Sequence, residues 1–249
     1  MRLNTPYYPI PGAQPEGTFG AIMEMLLKSR LKLQLDKQEK IYDEDVNTYL
    51  AGVLMSYIDP AYLTAVAEVL SKYDFEVFQA VQRAQDRVQV YRIYKVNADD
   101  LLVSLGIFRP IWQEAKGDLG RLQCYYAYAS EYQRRIYGKT TAVGDIQIKL
   151  SAGPERYLSI LSEARNEYLH FLDQIDPAEL AEFHRRIEQF ERELPVRSKQ
   201  DEVLDAFSTC LKEPNNPKLR ERLLGLLEEL KSLDPAFRPE FILTHIDQG

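Results

Sequence analysis

The sequence predicts a mainly α-helical fold, with about nine or ten helices arranged in one or more multi-helix bundles. Apolar residues recur every three or four positions through most of the 249 residues, a spacing that places them on one face of a helix. In addition, an Asp-Pro-Ala sequence follows Ile or Leu at Asp59, Asp176 and Asp234, each time between two such stretches. Asp accepts hydrogen bonds from the free N–H groups of a first turn, and Pro suits the first helical position. These junctions therefore predict helix starts.

The first 17 residues form a segment of a different character. Four prolines and two glycines interrupt any helical pattern there, so the sequence predicts an extended Pro/Tyr-rich arm over residues 1–17. Tyr7 and Tyr8 give this arm apolar side chains with which it can contact the body of the protein or a partner. From Thr18 the helical period begins, and it defines an N-terminal helical region over residues 18–137.

Two segments carry a mixed signal. Residues 87–96 are dense in β-branched and aromatic side chains, and residues 145–150 alternate between apolar and polar. Such patterns favour strands, so the two segments could pair as one short two-stranded β-ribbon. For residues 87–96 the end of a helix remains an equal alternative.

A long helix is predicted over residues 110–137, with an apolar stripe that is unusually wide. Tyr125, Tyr128 and Tyr132 form a second strip beside the first. Tyrosine combines a large apolar ring with a polar tip and is enriched at protein interfaces. We interpret these three tyrosines, with Tyr7 and Tyr8, as interface candidates; tyrosines at the rim of the core are the alternative interpretation.

Glycine, serine and threonine concentrate in residues 138–153, which we interpret as a linker between two helical regions. The C-terminal region, residues 154–249, has two matched apolar stripes on either side of Asp176, which predict an antiparallel helical hairpin. A second helical pair is predicted at about residues 199–212 and 217–232.

Composition limits the possible functions. Apolar residues make up 45% of the chain and charged residues 28%, both ordinary values for a globular protein. The net charge of −7 disfavours a general nucleic-acid binder, since such proteins usually carry excess Lys and Arg. No apolar run reaches the ~20 residues that cross a bilayer, and no signal-peptide pattern is visible. We therefore expect a cytoplasmic protein that does not contact membranes.

Few residues offer recognisable chemistry, since only three histidines occur and no zinc, phosphate-loop or nucleophile-elbow motif is present. We expect no cofactor and no metal. The six residues from Arg165 to His170 read Arg-Asn-x-x-x-His, which resembles the signature of HEPN-type ribonucleases. That resemblance implies that Arg165 stabilises phosphate charge and that His170 acts as acid or base. Because residues five apart lie about 140° around a helix, we favour an ordinary helix surface here.

These observations together favour a non-enzymatic helical protein that mediates association, either with itself as a homo-oligomer or with another protein. The wide tyrosine strip, the Pro/Tyr arm and the small number of catalytic residue types are the basis of this hypothesis. The alternative is a HEPN-like protein that binds or cleaves RNA through Arg165 and His170.

Overall fold

The structure is a computed structural model of the chain, and it describes residues 15–35, 43–71, 73–109, 116–173, 175, 180–213, 216–240 and 242–243. Of these described residues 85% are helical, which confirms the mainly α-helical fold. They form ten α-helices and one π-helical turn. The elements are α1 (Pro15–Lys32), α2 (Glu44–Ser56), α3 (Pro60–Ala67), α4 (Asp74–Arg83), α5 (Arg87–Val103), the π-turn (Ser104–Phe108), α6 (Lys116–Tyr137), α7 (Ala142–Ala152), α8 (Pro154–Leu172), α9 (Ala181–Lys212) and α10 (Pro217–Leu233).

The β-ribbon is not formed, because both of its proposed strands are helical. Residues 87–96 belong to α5, whose first turn is capped by Asp86 accepting a hydrogen bond from the Gln89 N–H at 2.8 Å. Residues 145–150 belong to α7, where Thr141 caps the Gly144 N–H at 3.1 Å. Strand propensity is a weak local preference, and these caps together with tertiary packing override it.

The proposed linker over residues 138–153 is also mostly helix, since α7 occupies Ala142–Ala152. Gly144 of α7 allows close packing against α6. A Cβ on Gly144 would lie 2.5 Å from Oε1 of Gln133, and the Ser130 hydroxyl donates to the Gly144 carbonyl at 3.1 Å. Gly144 therefore reflects tight contact between α6 and α7.

The Asp-Pro-Ala junctions differ from one another. Asp59 accepts a hydrogen bond from the Ala61 N–H at 2.9 Å and Pro60 begins α3, as predicted. Asp234 makes the same type of bond, to Ala236 at 3.1 Å, but closes a turn instead of starting a helix. Pro239 follows four residues after Pro235 and disfavours helical backbone in the residue before it. Asp176 and Pro177 lie outside the described residues, as do residues 1–14 of the proposed arm, whereas Pro15 begins α1.

The chain divides into two compact units, Met1–Ile187 and Glu188–Gly249. This division lies inside α9 and replaces the boundary that we placed at residues 138–153. The helix α9 also joins the predicted segments on both sides of Pro195 into one 32-residue element.

The first unit is built around α5, α6 and α7, which contact one another in that order, and α1, which contacts both α2 and α8. Its largest buried side chains include several aromatic residues: Tyr57, Tyr126, Tyr168 and Phe183. The Tyr168 hydroxyl donates to the Leu54 carbonyl at 2.8 Å, which joins α8 to α2. The second unit contains the later part of α9 and α10, and the ion pair Lys199–Glu229 connects these two helices at 2.8 Å.

Candidate functional site

The predicted tyrosines of α6 pack against one tyrosine of α5. The ring of Tyr94 lies 6.1 Å from that of Tyr125, 5.0 Å from Tyr128 and 6.0 Å from Tyr132, measured between centroids. Positions 125, 128 and 132 fall on one face of α6 because they are three and four residues apart. We call these four residues the aromatic patch.

The aromatic patch passes from the core to the surface. Tyr94 and Tyr125 are each only 5% exposed, whereas Tyr128 is 45% exposed and Tyr132 is half-buried. The Tyr125 hydroxyl donates to Asp74 at 2.5 Å, and burial, followed by that carboxylate, raises its pKa. Tyr125 is therefore held inside the protein, and Tyr128 is the member most open to a partner. Tyr7 and Tyr8 lie outside the described residues.

Arginine side chains border the exposed end of the patch. The guanidinium of Arg135 lies 5.1 Å from the centre of the Tyr132 ring, a cation–π arrangement. Glu131 pairs with both Arg134 and Arg135 at 2.8 Å, and these two arginines lower its pKa to about 2. Arg87 donates to the Arg135 carbonyl at 3.3 Å. Three arginines against one glutamate leave this border locally basic on an acidic protein.

The two residues of the ribonuclease-like motif have separate positions. Arg165 of α8 donates from Nε to the Ile107 carbonyl in the π-turn at 2.6 Å. The π-turn approaches α8 so closely that a Cβ on Gly106 would lie 2.6 Å from Cβ of Leu161. His170 is exposed in the last turn of α8. Arg165 therefore stabilises the contact between the π-turn and α8, and within the described residues it does not form a joint site with His170.

The structure contains a buried polar cluster that the sequence did not reveal. Asp99 of α5 is fully buried, and its Oδ1 accepts hydrogen bonds from the hydroxyls of Tyr49 at 2.7 Å and Tyr126 at 2.8 Å. Its Oδ2 accepts from Nζ of Lys95, one turn earlier on α5, at 2.5 Å. One carboxylate thus joins α2, α5 and α6.

The protonation states of Lys95, Tyr49 and Tyr126 favour the hydrogen bonds of this cluster. Burial lowers the pKa of Lys95, but the charge and hydrogen bond of Asp99 together with the nearby Tyr62 and Tyr91 hydroxyls outweigh it, and the net shift is upward. Burial, followed by Asp99, raises the pKa of Tyr49 and of Tyr126. At neutral pH Lys95 is therefore a charged donor, and both tyrosines keep their protons. Lys95 does not have the lowered pKa that a nucleophilic lysine needs.

A sequence signal for this cluster exists but is weak. Lys95 and Asp99 are four residues apart, which is also the spacing of ordinary ion pairs on helix surfaces. Only the long apolar run that begins at Leu101 suggests that the preceding acidic residues are buried. Among the described residues, no three His, Cys, Asp or Glu side chains are placed so that they could hold a metal ion.

Across the described ranges, no single helix is long and apolar enough to cross a membrane; α2 and α3, bent by 89° at their junction, meet the length and composition criteria only together. Comparison with protein-family models, curated proteins and solved structures finds no match to this chain.

Proposed function

We propose that this chain is a non-enzymatic cytoplasmic protein that associates with another protein through the aromatic patch. The observation that carries the proposal is the 45% exposure of Tyr128 over a base of buried tyrosine rings. A ring that is held rigidly by its neighbours loses little conformational freedom on binding, and Tyr and Arg are the residue types that dominate binding energy at interfaces.

The charge of the border favours a partner with acidic side chains. Arg135 lies over the Tyr132 ring, Arg87 contacts Arg135, and Arg134 pairs with Glu131. Glu131 balances only one of these three positive charges. Symmetric pairing of two copies through this patch would bring both sets of arginines together, which disfavours a two-fold dimer at this surface. An acidic amphipathic segment of another protein would cover the rings with its apolar face and pair with the arginines through its carboxylates.

Single-stranded RNA is the competing ligand, because aromatic rings beside arginines also stack nucleic-acid bases. The small number of arginines favours protein. Single-stranded RNA carries a charge on every nucleotide and needs a basic groove along its backbone, which an acidic chain with three local arginines does not offer, whereas an amphipathic segment needs only a few acidic side chains there.

The test uses a labelled acidic helical peptide of Glu and Leu, a Lys and Leu peptide of equal length, and a uridine oligonucleotide. We expect the acidic peptide alone to bind in fluorescence anisotropy. The variant Tyr128→Ser should weaken that binding at least tenfold. Ile148→Ser is the matched control, because Ile148 of α7 is 46% exposed and α7 contacts α6 on the side of Ser130 and Gln133.

Equal loss of binding in the two variants would contradict the proposal, as would preferential binding of the oligonucleotide. Light scattering gives a further check. A stable homo-oligomer that Tyr128→Ser leaves intact, with no peptide bound, would exclude the patch as the site of association.

A further inference from the structure

Phe78 of α4 is an exposed aromatic residue outside the aromatic patch, with 46% of its surface open to solvent. Asp74, one turn earlier on α4, accepts a hydrogen bond from Tyr125 of α6 at 2.5 Å and pairs with Arg121 of α6 at 3.0 Å. Residues four apart lie on the same face of a helix. Phe78 is therefore on the side of α4 that faces α6.

Tyr128 has the matching position on α6. It follows Tyr125 by three residues and Arg121 by seven, so it lies on the face of α6 that meets Asp74. The two most exposed rings near the patch are thus each placed beside the residues that bridge α4 and α6.

The helices α4 and α6 run in the same direction from this bridge. A short turn after α4 leads into α5 at Arg87, and Arg87 donates to the Arg135 carbonyl near the end of α6. The ends of α4 and α6 therefore lie at the same end of α5. Phe78 and Tyr128 are each about one turn beyond the bridge in this direction, on sides of α4 and α6 that face each other.

Between these two rings the helices form a groove over α5. Both α4 and α6 pack on α5, whereas the described residues of α4 and α6 make little direct contact with each other. Tyr94 of α5 lies beneath, with its ring centre 5.0 Å from that of Tyr128. Packed helix axes are about 8–10 Å apart, and a helix with its side chains is about 10–12 Å across, so one further helix fits over α5 between α4 and α6.

We propose that this groove binds one amphipathic helix of another protein, whose apolar stripe contacts Phe78 and Tyr128 together. The inference rests on the proposed function and adds Phe78 as a second anchor. The arginine border lies at one end of the groove, because Arg87 and Arg135 are located where α5 begins and α6 ends. Carboxylates at one end of the bound helix would pair with these arginines. An extended peptide would need the edge of a sheet, and the part of the chain that the structure describes contains no strand.

The probe is the labelled acidic helical peptide of Glu and Leu, together with a version that carries two prolines at its centre. The prolines keep the charge of the peptide and prevent a continuous helix. We expect fluorescence anisotropy to show binding of the helical peptide and binding roughly tenfold weaker, or less, for the proline version. Phe78→Ser should weaken binding of the helical peptide roughly tenfold, and Phe78→Leu should retain most of it, because an apolar anchor remains.

Leu27→Ser is the matched control. Leu27 of α1 is 45% exposed, and α1 packs on α2 and α8, away from the groove. It should bind the helical peptide as the unmodified chain does, and circular dichroism verifies that each variant keeps its helices.

Two kinds of failure are distinguishable. Binding that Tyr128→Ser weakens and Phe78→Ser leaves unchanged would overturn the groove and leave the aromatic patch as the site. Equal binding of the proline version, or equal weakening by Leu27→Ser and Phe78→Ser, would also overturn the groove. An unmodified chain that does not bind the acidic helical peptide would overturn both the groove and the proposed function.

Discussion

The two units of the chain use charged side chains in different ways. In the first unit, buried carboxylates join helices that are far apart in the sequence. Asp43 pairs with Arg30 of α1 and with Arg156 of α8, and its side chain is 1% exposed. In the second unit, the ion pairs that the structure describes lie mostly within one helix, such as Glu188–Arg192 at 63% and 77% exposure.

This difference indicates in which unit buried charges fix the arrangement of the helices. A buried carboxylate with several donors tolerates only one arrangement of its helices, because any shift leaves a charge unpaired. An exposed pair one turn apart contributes little to stability and does not restrict neighbouring helices. The first unit is therefore expected to be sensitive to loss of single polar groups, and the second unit much less so.

Alkaline pH should produce the largest contrast between the units. Burial is the main cause that raises the pKa of Tyr62, Tyr94 and Tyr157 to about 12. An unfolded tyrosine ionises near pH 10, so the stabilisation is complete below about pH 10 and is lost as the pH rises to about 12. Two pH units correspond to at most about 2.7 kcal/mol per tyrosine, so three such groups contribute a large share of the total stability of a typical domain.

Absorbance at 295 nm measures the ionisation of the 16 tyrosines, none of which lies in residues 188–249. We expect a cooperative rise between about pH 10 and 12 that coincides with loss of helical circular dichroism. Buried Cys210 reports on the second unit through its reaction with a thiol reagent in a Cys124→Ser background. Independent ionisation of all tyrosines near pH 10, with unchanged helicity, would contradict this prediction.

Removal of one buried carboxylate should produce the next largest effect. Asp99→Ala leaves the hydroxyls of Tyr49 and Tyr126 and the ammonium of Lys95 without their acceptor. We expect the free energy of unfolding in urea to fall by about 3–5 kcal/mol, as for other broken buried pairs.

The control is Glu202→Ala in the second unit. Glu202 pairs with Lys199 at 2.9 Å but is 50% exposed, so its removal should cost less than about 0.5 kcal/mol. Similar losses for the two variants would show that burial of the acid does not distinguish the units.

Local patterns in the sequence were sufficient for the fold class and for most helices, but not for α7 or for the contacts between helices. The apolar period predicted the fold class, and the cap at Asp59 is formed as expected. The β-branched residues of α5 and Gly144 of α7 were misleading because their role is set by packing partners. The close approach of Gly144 to Gln133 arises from the packing of two helices, so the sequence of neither segment alone indicates it.

The candidate site was likewise predicted only in part. The spacing of Tyr125, Tyr128 and Tyr132 placed them on one face of a helix, but the position of α5 decides that Tyr125 is buried and Tyr128 exposed. The bond from Arg165 to Ile107 joins residues 58 positions apart. The sequence around neither residue indicates that contact.

Glycine substitutions should change the stability of the two units in opposite directions. A Cβ on Gly106 would lie 2.6 Å from Cβ of Leu161, so Gly106→Ala forces the π-turn away from α8 and should cost about 1–3 kcal/mol. Gly225 lies within α10, and a Cβ added there would meet no atom within 4 Å, so Gly225→Ala should stabilise by about 0.5–1 kcal/mol.

Thermal unfolding measures both changes. A stabilising Gly106→Ala would mean that the π-turn does not need its close approach to α8.

The smallest expected difference in stability is between two arginine variants, one in each unit. Arg165→Met removes the donor to the Ile107 carbonyl and should lower the free energy of unfolding by about 1–1.5 kcal/mol, since the carbonyl of buried Ile107 loses the partner that half-buried Arg165 supplies. Arg192→Met removes only an exposed pair with Glu188 and should cost less than about 0.5 kcal/mol. Urea unfolding followed by circular dichroism resolves the difference, and His170→Ala, at an exposed position, should match Arg192→Met. Equal costs for the two arginine variants would mean that the Ile107 bond contributes no more than a surface ion pair, and would leave Arg165 available for another role.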